Sequence, residues 1–586
     1  MRRFFLSFCL FSVAVFFLYP SHAFANGPAP KEQKKKAQKV TSTPDEASYY
    51  EFMMGYDAES NGKWEEAVLH YKKAMEHDPG SVEIRLQLGG ILLRMGKLDE
   101  AAAIIEKAVK YAPENVRAMM LLGELYSSMG KRDQATGLLE KAVRIEPGND
   151  KALLLLGTVY ASGDRFTEAL DTLEKLIARS PNNAMAYFYM GLINLDLKDL
   201  EQSEKYLKKT LELKPDMDAA QMYLGIISEM KGDLDGAEKH YKDAVKINPH
   251  NTEAADRLGM LYIRNKEQGK AIKQYEKIKA FDPSNIDIHK RLALLYVETS
   301  DFGKAADEFR LILSRTPKDK QARYYLAYCL NELGRPGDAA SELDKLLKED
   351  PGDIQSLLFA GFVETRLDHS EKAARIYEQA LRVDSGKPEI YVYLGSLYIE
   401  MKKYADAARV LGEGIKKFPE NDDILFNRAV LEEKKGDFDA MVADLEHAIK
   451  VNPKHTDALN YLGYSYAEKG IKLDEALSLV KRALELKPDS GYIMDSLGWV
   501  YYKMGRFKES LKELLHARDT VGSDAAIYEH LGDVYKALGK PESAMEAWKK
   551  SLTLKEDEDG LRDRVRKKLR ALERTGNAQS SRSGKD

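Results

Sequence analysis

The amino-acid sequence predicts an all-α fold, a solenoid of about fifteen helix-turn-helix units, and three recurrences support this prediction. Prolines return every 34 residues, a small residue lies 24 positions before each of them, and in most units a second small residue lies 12 positions before. The first nine of these prolines stand at positions 79, 113, 147, 181, 215, 249, 283, 317 and 351. A fixed period of this length is the sequence signature of a repeat architecture, in which neighbouring units bury a continuous core.

The boundaries of each unit follow from three kinds of residue. A glycine about midway suits the left-handed conformation that ends a first helix, and the proline ends the second helix because it lacks an amide donor. Two positions past the proline, a Ser, Asn or Asp is predicted to cap the next helix. The midway glycines are Gly62, Gly96, Gly130, Gly232, Gly334, Gly436, Gly470, Gly505 and Gly539. The predicted caps are Ser81, Asn115, Asn149, Asn183, Asn251, Asn285, Asp319, Asp353, Asn421 and Ser490.

These units resemble the tetratricopeptide repeat (TPR), which has Gly or Ala at position 8, an aromatic residue at 11, Ala at 20 and 27, and Pro at 32. The resemblance covers residues 48–558 and implies a right-handed superhelix whose first helices line the concave face. Three units lack the proline and have Ser385, Gly522 or Glu556 instead, and Met441 replaces the Ala at position 20 of one unit. One extra residue follows Gly470, and we expect a turn to absorb it.

The N-terminal segment has the layout of a secretory signal peptide. Arg2 and Arg3 precede a mostly apolar run over residues 4–19, and small residues then lead to Ala25. We expect cleavage after Ala25, or alternatively after Ala23, so that residues 1–25 are removed. The alternative is a retained membrane anchor, although the apolar run is shorter than the roughly 20 residues that a comfortable span needs.

Two further segments lie outside the predicted array of residues 48–558. Residues 26–47 are polar and rich in lysine, which is typical of a flexible linker. In residues 559–574, Leu561, Val565, Leu569 and Leu572 fall on one helical face. This pattern predicts a helix that caps the last repeat, and residues 575–586 are expected to form a disordered tail.

Composition and motifs argue against nucleic-acid binding and catalysis. The formal net charge is -4 with both signs interspersed, so no field would attract a polyanion. The eleven histidines are scattered, and no zinc, nucleotide-binding or nucleophile motif is present. We therefore expect no enzyme activity, no cofactor and no metal site. Cys329 follows Tyr328 in an apolar helical stretch and is predicted to be a core residue.

A partner is expected at positions 5, 9 and 12 of the first helices, which share a face distinct from the packing positions 4, 8 and 11. Three sections of that face are apolar, and an alternative is that a tight superhelix buries these side chains. The predicted partner-binding residues are Leu154, Phe188, Leu192, Met222 and Ile226, then Tyr324, Tyr328 and Phe362, and finally Tyr464, Trp499 and Tyr502. Tyr501 and Phe507 are instead predicted to be core.

The functional expectation is a scaffold or adaptor that binds proteins or extended peptides. Residues 458–552 are similar to the end of proteobacterial envelope TPR proteins, some of which bring substrates to a C-terminal processing protease. This resemblance implies an exported protein, periplasmic or associated with the outer membrane. Those adaptors are lipoproteins, whereas Cys9 lies too early here to be a lipidation site. A scaffold for exopolysaccharide or outer-membrane assembly and secretion machinery, peripherally associated with the membrane, is the alternative.

Overall fold

The computed structural model describes residues 46–554 and 560–583, and within these ranges every regular element is a helix. The helices of the first seven repeats are α1 (Glu46–Ser60), α2 (Trp64–His77), α3 (Val82–Arg94), α4 (Leu98–Tyr111), α5 (Val116–Ser128), α6 (Arg132–Ile145), α7 (Asp150–Ser162), α8 (Phe166–Arg179), α9 (Ala184–Asp196), α10 (Leu200–Leu213), α11 (Asp218–Lys231), α12 (Leu234–Ile247), α13 (Thr252–Arg264) and α14 (Gln268–Phe281).

The remaining helices continue the alternation of first and second helices. They are α15 (Ile286–Glu298), α16 (Phe302–Arg315), α17 (Lys320–Glu332), α18 (Pro336–Glu349), α19 (Ile354–Arg366), α20 (Ser370–Val383), α21 (Pro388–Glu400), α22 (Tyr404–Lys417), α23 (Asp422–Lys435), α24 (Phe438–Val451), α25 (Thr456–Lys469), α26 (Leu473–Leu486), α27 (Gly491–Lys503), α28 (Phe507–Val521), α29 (Ala525–Ala537), α30 (Pro541–Thr553) and α31 (Leu561–Ser583). The predicted all-α class and about fifteen hairpins are confirmed.

Within a repeat, the small residue of the first helix lets the two helices approach closely. A Cβ atom built on Gly89 of α3 would lie 2.5 Å from Cγ1 of Ile105 on α4. Ile105 is fully buried, as is Ala101 one turn before it. The two series of small residues in the sequence therefore mark the helix crossing, as predicted.

The turn between the two helices of a repeat needs one residue in the left-handed region. All nine midway glycines have positive φ, which confirms their predicted role as helix ends. In six other repeats the same turn uses a non-glycine residue with φ between 57° and 63°. These residues are Asp164, Lys198, Lys266, Ser300, Asp368 and Lys402.

Nine of the ten predicted N-caps accept a hydrogen bond from a backbone amide three residues on. Ser490 is the exception: its backbone is extended, but its hydroxyl makes no capping bond. The prediction for Ser490 was wrong, and nothing in the structure explains the difference. His455 also caps a helix, since its Nδ1 accepts a hydrogen bond from the Ala458 amide at 3.1 Å. The sequence did not suggest this cap.

The described residues form two compact units, with the boundary between Leu295 and Tyr296, inside α15. In the N-terminal unit, the largest fully buried side chains include Tyr71, Tyr189 and Tyr241. In the C-terminal unit they include Tyr466 and Trp548. Each unit therefore has its own core along the seam between first and second helices.

The two ends of the described array differ. On α1, at the start of the N-terminal unit, Tyr49, Tyr50, Met53 and Tyr56 are all exposed. At the end of the C-terminal unit, α31 buries one apolar face against Trp548, through Leu561, Val565 and Leu569. The helix continues to Ser583, and the disorder expected for residues 575–586 stays a prediction.

The predicted signal peptide (residues 1–25) and nearly all of the predicted linker lie outside the described residues. No helix of the described ranges is long and apolar enough to cross a membrane.

Candidate partner-binding surfaces

First helices of neighbouring repeats lie side by side, so that equivalent positions meet. Nη1 of Arg117 on α5 lies 2.8 Å from Oε1 of Glu83 on α3, a pair 34 residues apart. Contacts 31 residues apart occur as well, since Nε1 of Trp499 donates to Oε2 of Glu468 at 2.7 Å. Rows of side chains therefore run across successive first helices within each unit.

In the N-terminal unit the predicted partner-binding residues form such a row, but the protein itself covers them. Leu154, Phe188, Leu192, Met222 and Ile226 are each at most 7% exposed. The Phe188 ring packs edge-on against Tyr223, with centroids 5.9 Å apart. These large side chains are buried between adjacent first helices, which agrees with the alternative that a tight superhelix covers them. Their binding of a partner stays a prediction.

In the C-terminal unit, a row of rings is more accessible. Tyr324 and Tyr328 of α17 are half-buried, and Phe362 of α19 is 48% exposed. Phe359 connects them, with ring centroids 5.5 Å from Tyr324, 6.3 Å from Tyr328 and 6.4 Å from Phe362. We call these four residues the central aromatic ladder. Sequence reasoning missed Phe359 because it considered positions 5, 9 and 12, and Phe359 is at position 6.

Polar groups border the exposed end of the ladder. The Arg366 guanidinium lies 6.0 Å from the Phe362 ring centroid and donates through Nη1 to Oδ1 of Asn331 at 2.8 Å. The arginine is thus held in place by the asparagine. Exposed aromatic rings beside an ordered arginine combine the residue types that contribute most to binding at protein interfaces.

A second group of rings, the C-terminal cluster, comprises Tyr464, Trp499, Tyr502 and His530. The Trp499 indole stacks between Tyr502 (4.8 Å between centroids) and His530 (4.1 Å). Trp499 is only 7% exposed, whereas Tyr464 and Tyr502 are half-buried. The indole predicted to face the groove is therefore mostly covered by its neighbours. Tyr501 is buried as predicted, and Phe507 is half-buried against Tyr502.

Electrostatics hold the C-terminal cluster together. His530 Nδ1 lies 2.9 Å from Oδ1 of Asp495. Burial alone would lower the pKa of His530, but the nearby carboxylates, chiefly that of Asp495, together outweigh burial and raise the pKa above its ordinary value. The Lys503 ammonium lies 4.8 Å from the Trp499 ring centroid and 3.4 Å from Glu468. The cluster is therefore an internally satisfied network with two tyrosine edges available to solvent.

In one group of three side chains, the potential ligand atoms lie as close together as in a metal site. Ligand atoms of Asp422, Asp423 and His455 lie within 4.8 Å of one another. However, the lone pair of His455 Nδ1 already accepts the Ala458 amide, so Nε2 carries the proton of the neutral ring and cannot coordinate an ion. Nε2 points instead towards Asp423, 3.5 Å away. Helix capping accounts for this group.

Models of known protein families match the repeats along most of the chain. Models described as "Tetratricopeptide repeat" match residues 58–125, 92–140, 128–189, 230–295 and 370–430, a second set matches 190–252, 290–354 and 434–491, and a third matches 525–558. The chain is a tetratricopeptide repeat protein. All of these matches are to repeat families, which generally form non-catalytic scaffolds for protein–protein interaction.

Among curated proteins, this TPR protein is similar to two relatives over short stretches. It is 36% identical over 121 residues, 21% of this chain, to the TPR repeat-containing protein PA4667 of Pseudomonas aeruginosa. It is 30% identical over 140 residues, 22% of this chain, to Superkiller protein 3 of Schizosaccharomyces pombe. The matched stretches span only 20% and 10% of the lengths of these relatives.

Similar solved structures include MamA (26% identity, 29% of this chain and 93% of that chain, TM-score 0.28). They also include yeast Tom70 (15% identity, 86% and 96%, TM-score 0.37) and the Cut9–Hcn1 hetero-tetramer of APC/C (14% identity, 90% and 96%, TM-score 0.33). Scores this low lend no support to a particular function.

Proposed function

We propose that this TPR protein is a non-enzymatic adaptor that binds a protein or an extended peptide across its first helices, with the central aromatic ladder as the main docking surface. The observation that carries the proposal is the Phe362 ring, 48% exposed at the end of a row of four rings. Rings that are already packed against one another lose little conformational entropy when a partner covers them. This makes the ladder suitable for recognition.

The experiment that tests the ladder compares two variants of one repeat. Phe362→Ser removes the exposed ring of α19, and Val383→Ser removes an equally exposed apolar side chain (47%) at the end of the second helix, α20. In pull-downs from an envelope extract, we expect Phe362→Ser to capture at least about 10-fold less of a specific partner than wild type, since a central aromatic contact is worth about 2 kcal/mol. Val383→Ser should capture the same partner as wild type.

Both variants should first be shown to keep wild-type helicity and thermal unfolding. Equal capture by Phe362→Ser and wild type would contradict the ladder as the docking surface. If the lost partner is a protease or its substrate, the adaptor hypothesis gains support. Co-fractionation with exopolysaccharide or outer-membrane assembly machinery would favour the alternative scaffold.

We further propose that the adaptor is exported to the cell envelope, periplasmic or associated with the outer membrane. The order of basic residues, apolar run and small residues at the N-terminus supports this proposal. Sequencing the N-terminus of the protein isolated from its native cells tests it, with Asn26, or else Phe24, expected as the first residue. A mature protein that begins at Met1 would contradict cleavage and favour a retained anchor.

A further inference from the structure

Glu124 of α5 is an acidic side chain without a partner on the face of the first helices. Its Oε1 is buried and has no hydrogen-bond partner among the described residues. Burial raises the pKa of this carboxyl group to about 7, and no charged group contributes to the shift. A carboxylate removed from water without a donor costs free energy. Packing of the repeat alone gives no reason for an acid at this position.

The surroundings of Glu124 are apolar and partly open. Met120 and Leu121 precede it by about one turn on α5, and Leu93 and Leu155 lie 31 residues before and after it on the neighbouring first helices. Ser396 and Asn427, which occupy the positions equivalent to those of Glu124 and Leu155, form a hydrogen bond over the same separation. All four apolar side chains are half-buried, so a bound chain could cover them further.

The position one repeat before Glu124 leaves unfilled space. Gly90 occupies the equivalent position on α3, and a Cβ atom added there would meet nothing within 4 Å. A larger residue would fit the α3 backbone, since Gly90 does not have the positive φ of the turn glycines. Glu124 therefore borders a notch that has an apolar rim and one acidic wall.

We propose that this notch receives a lysine or arginine side chain from an extended protein segment whose neighbouring side chains are apolar. The proposal rests on the proposed function and adds the chemistry of the partner. The basic head group supplies the donors that the Glu124 carboxylate lacks, and its methylene stem packs along Leu93 and Met120. A divalent cation fits less well, because it takes six or more oxygen ligands and the equivalent positions on either side are Gly90 and Thr158.

The length of a suitable probe follows from the spacing of the repeats. First helices lie about 10 Å apart and an extended peptide rises about 3.3 Å per residue, so nine residues span about three repeats. We would screen the full-length protein against an array of acetylated and amidated nonapeptides. The central residue would be Lys, Arg, norleucine or Glu, and the flanking residues would be drawn from Leu, Met, Tyr and Ser. The strongest binders would then be measured in solution by fluorescence anisotropy.

The expected result is a preference of at least about 10-fold for Lys or Arg over norleucine, with Glu weakest, because hydrogen bonds between charged groups are stronger than contacts of a neutral side chain. Glu124→Gln should abolish the preference while norleucine peptides still bind. Gly90→Met should weaken all of these peptides by filling the notch. Two matched controls, Glu114→Gln in an exposed turn and Gly137→Met on an exposed, open position of α6, should behave as wild type.

Three outcomes would overturn the proposal: equal binding of Lys, norleucine and Glu peptides, a basic preference that persists in Glu124→Gln, and no binding of any probe. The Phe362→Ser comparison is independent, since Phe362 and Glu124 belong to different units. If partner capture depends on Phe362 but the nonapeptides show no basic preference that depends on Glu124, this inference is wrong and the proposed function is unaffected.

Discussion

The imidazole of His530 lies almost parallel to the indole of Trp499, with 4.1 Å between ring centroids and 20° between the ring planes. On its edge, Nδ1 is 2.9 Å from Oδ1 of Asp495. Asp495 and His530 lie on neighbouring first helices, 35 positions apart, and both are at least nine-tenths buried. A titratable ring is thus held against a natural fluorophore.

This contact predicts a pH-dependent emission of Trp499. A protonated imidazole quenches a stacked indole, so emission should rise as the pH passes through the raised pKa of His530, whose other acidic neighbours are Glu529 and Asp533. Asp495→Asn should shift the midpoint to lower pH by about one unit or more, because burial then acts without its counter-charge. Subtracting the Trp499→Phe spectrum isolates the signal, and Asp489→Asn, at an exposed position, is the control.

The same pair predicts a direction for stability. The pKa of His530 is higher in the folded protein than in the unfolded chain. The interaction with Asp495 therefore stabilises the folded protein fully at pH values below the unfolded pKa, and this stabilisation is lost as the pH rises through the folded pKa. Hydrogen-exchange protection factors at α27 and α29, which correct for the intrinsic pH dependence of exchange, should therefore fall over that range in wild type and change less in Asp495→Asn. An emission curve that does not move with Asp495→Asn would mean that another group titrates.

A second prediction concerns the helix crossing in the last repeat. A Cβ atom on Gly532 would lie 2.3 Å from Cδ1 and Nε1 of the fully buried Trp548. Gly532→Ala should therefore destabilise α29 and α30 by about 1–3 kcal/mol through overpacking. Gly412→Ala, at a helical glycine with nothing within 4 Å of the new Cβ, should instead stabilise α22 by about 0.5–1 kcal/mol. Native-state hydrogen exchange reports each helix separately.

A third prediction concerns the attachment of α31. Lys568 Nζ lies 2.8 Å from Oε1 of Glu529 and 2.6 Å from Oδ2 of Asp533, both on α29. Burial pulls the pKa of Glu529 upwards, but hydrogen bonds from Arg564 and Lys568 outweigh it and hold that pKa below its ordinary value. Lys568→Met should loosen α31 by about 3 kcal/mol, because it leaves a buried acid with less compensation.

The neighbouring Lys567 is exposed, so Lys567→Met changes the net charge equally without touching Glu529. Limited proteolysis between α30 and α31 should cut Lys568→Met faster than either Lys567→Met or wild type. Equal cleavage of all three would show that the apolar face of α31 holds the helix without the ion pairs.

A fourth prediction concerns Cys329, which is buried as its sequence context predicted. Burial raises the pKa of its thiol to about 12, so almost no thiolate is present at neutral pH. Iodoacetamide should label Cys329 quickly in urea and at least about 100-fold more slowly in the folded protein. Rapid labelling of the folded protein would reveal local opening of α17.

The fold could be predicted from the sequence because its signals are local and repeated. Gly96 or Asn115 determines a turn or a cap through its own backbone and nearest amides, so the pattern gives the helix bounds directly. Exposure on the groove face could not be predicted in the same way. Phe188 and Phe362 occupy equivalent faces of their helices, yet the first is 3% and the second 48% exposed. That difference depends on the sizes of side chains on adjacent helices.

Glu124 shows the same limit for the candidate binding site. The sequence has 94 acidic residues, and nothing in its local pattern distinguishes this one from those on solvated faces. Only the surrounding apolar rows and the absence of a nearby side chain at Gly90 set it apart, and both depend on residues more than 30 positions away. A repeat pattern predicts which residues are equivalent, and the neighbours determine how each is used.

The covered end of the C-terminal unit limits how this protein can associate with itself. Head-to-tail growth requires that the last second helix of one molecule offer its apolar face to the first helix of the next. In this protein α31 already occupies that face of the Trp548 repeat, although the tyrosines of α1 remain exposed. Stacking of α1 of a second copy on this face would first require α31 to leave it.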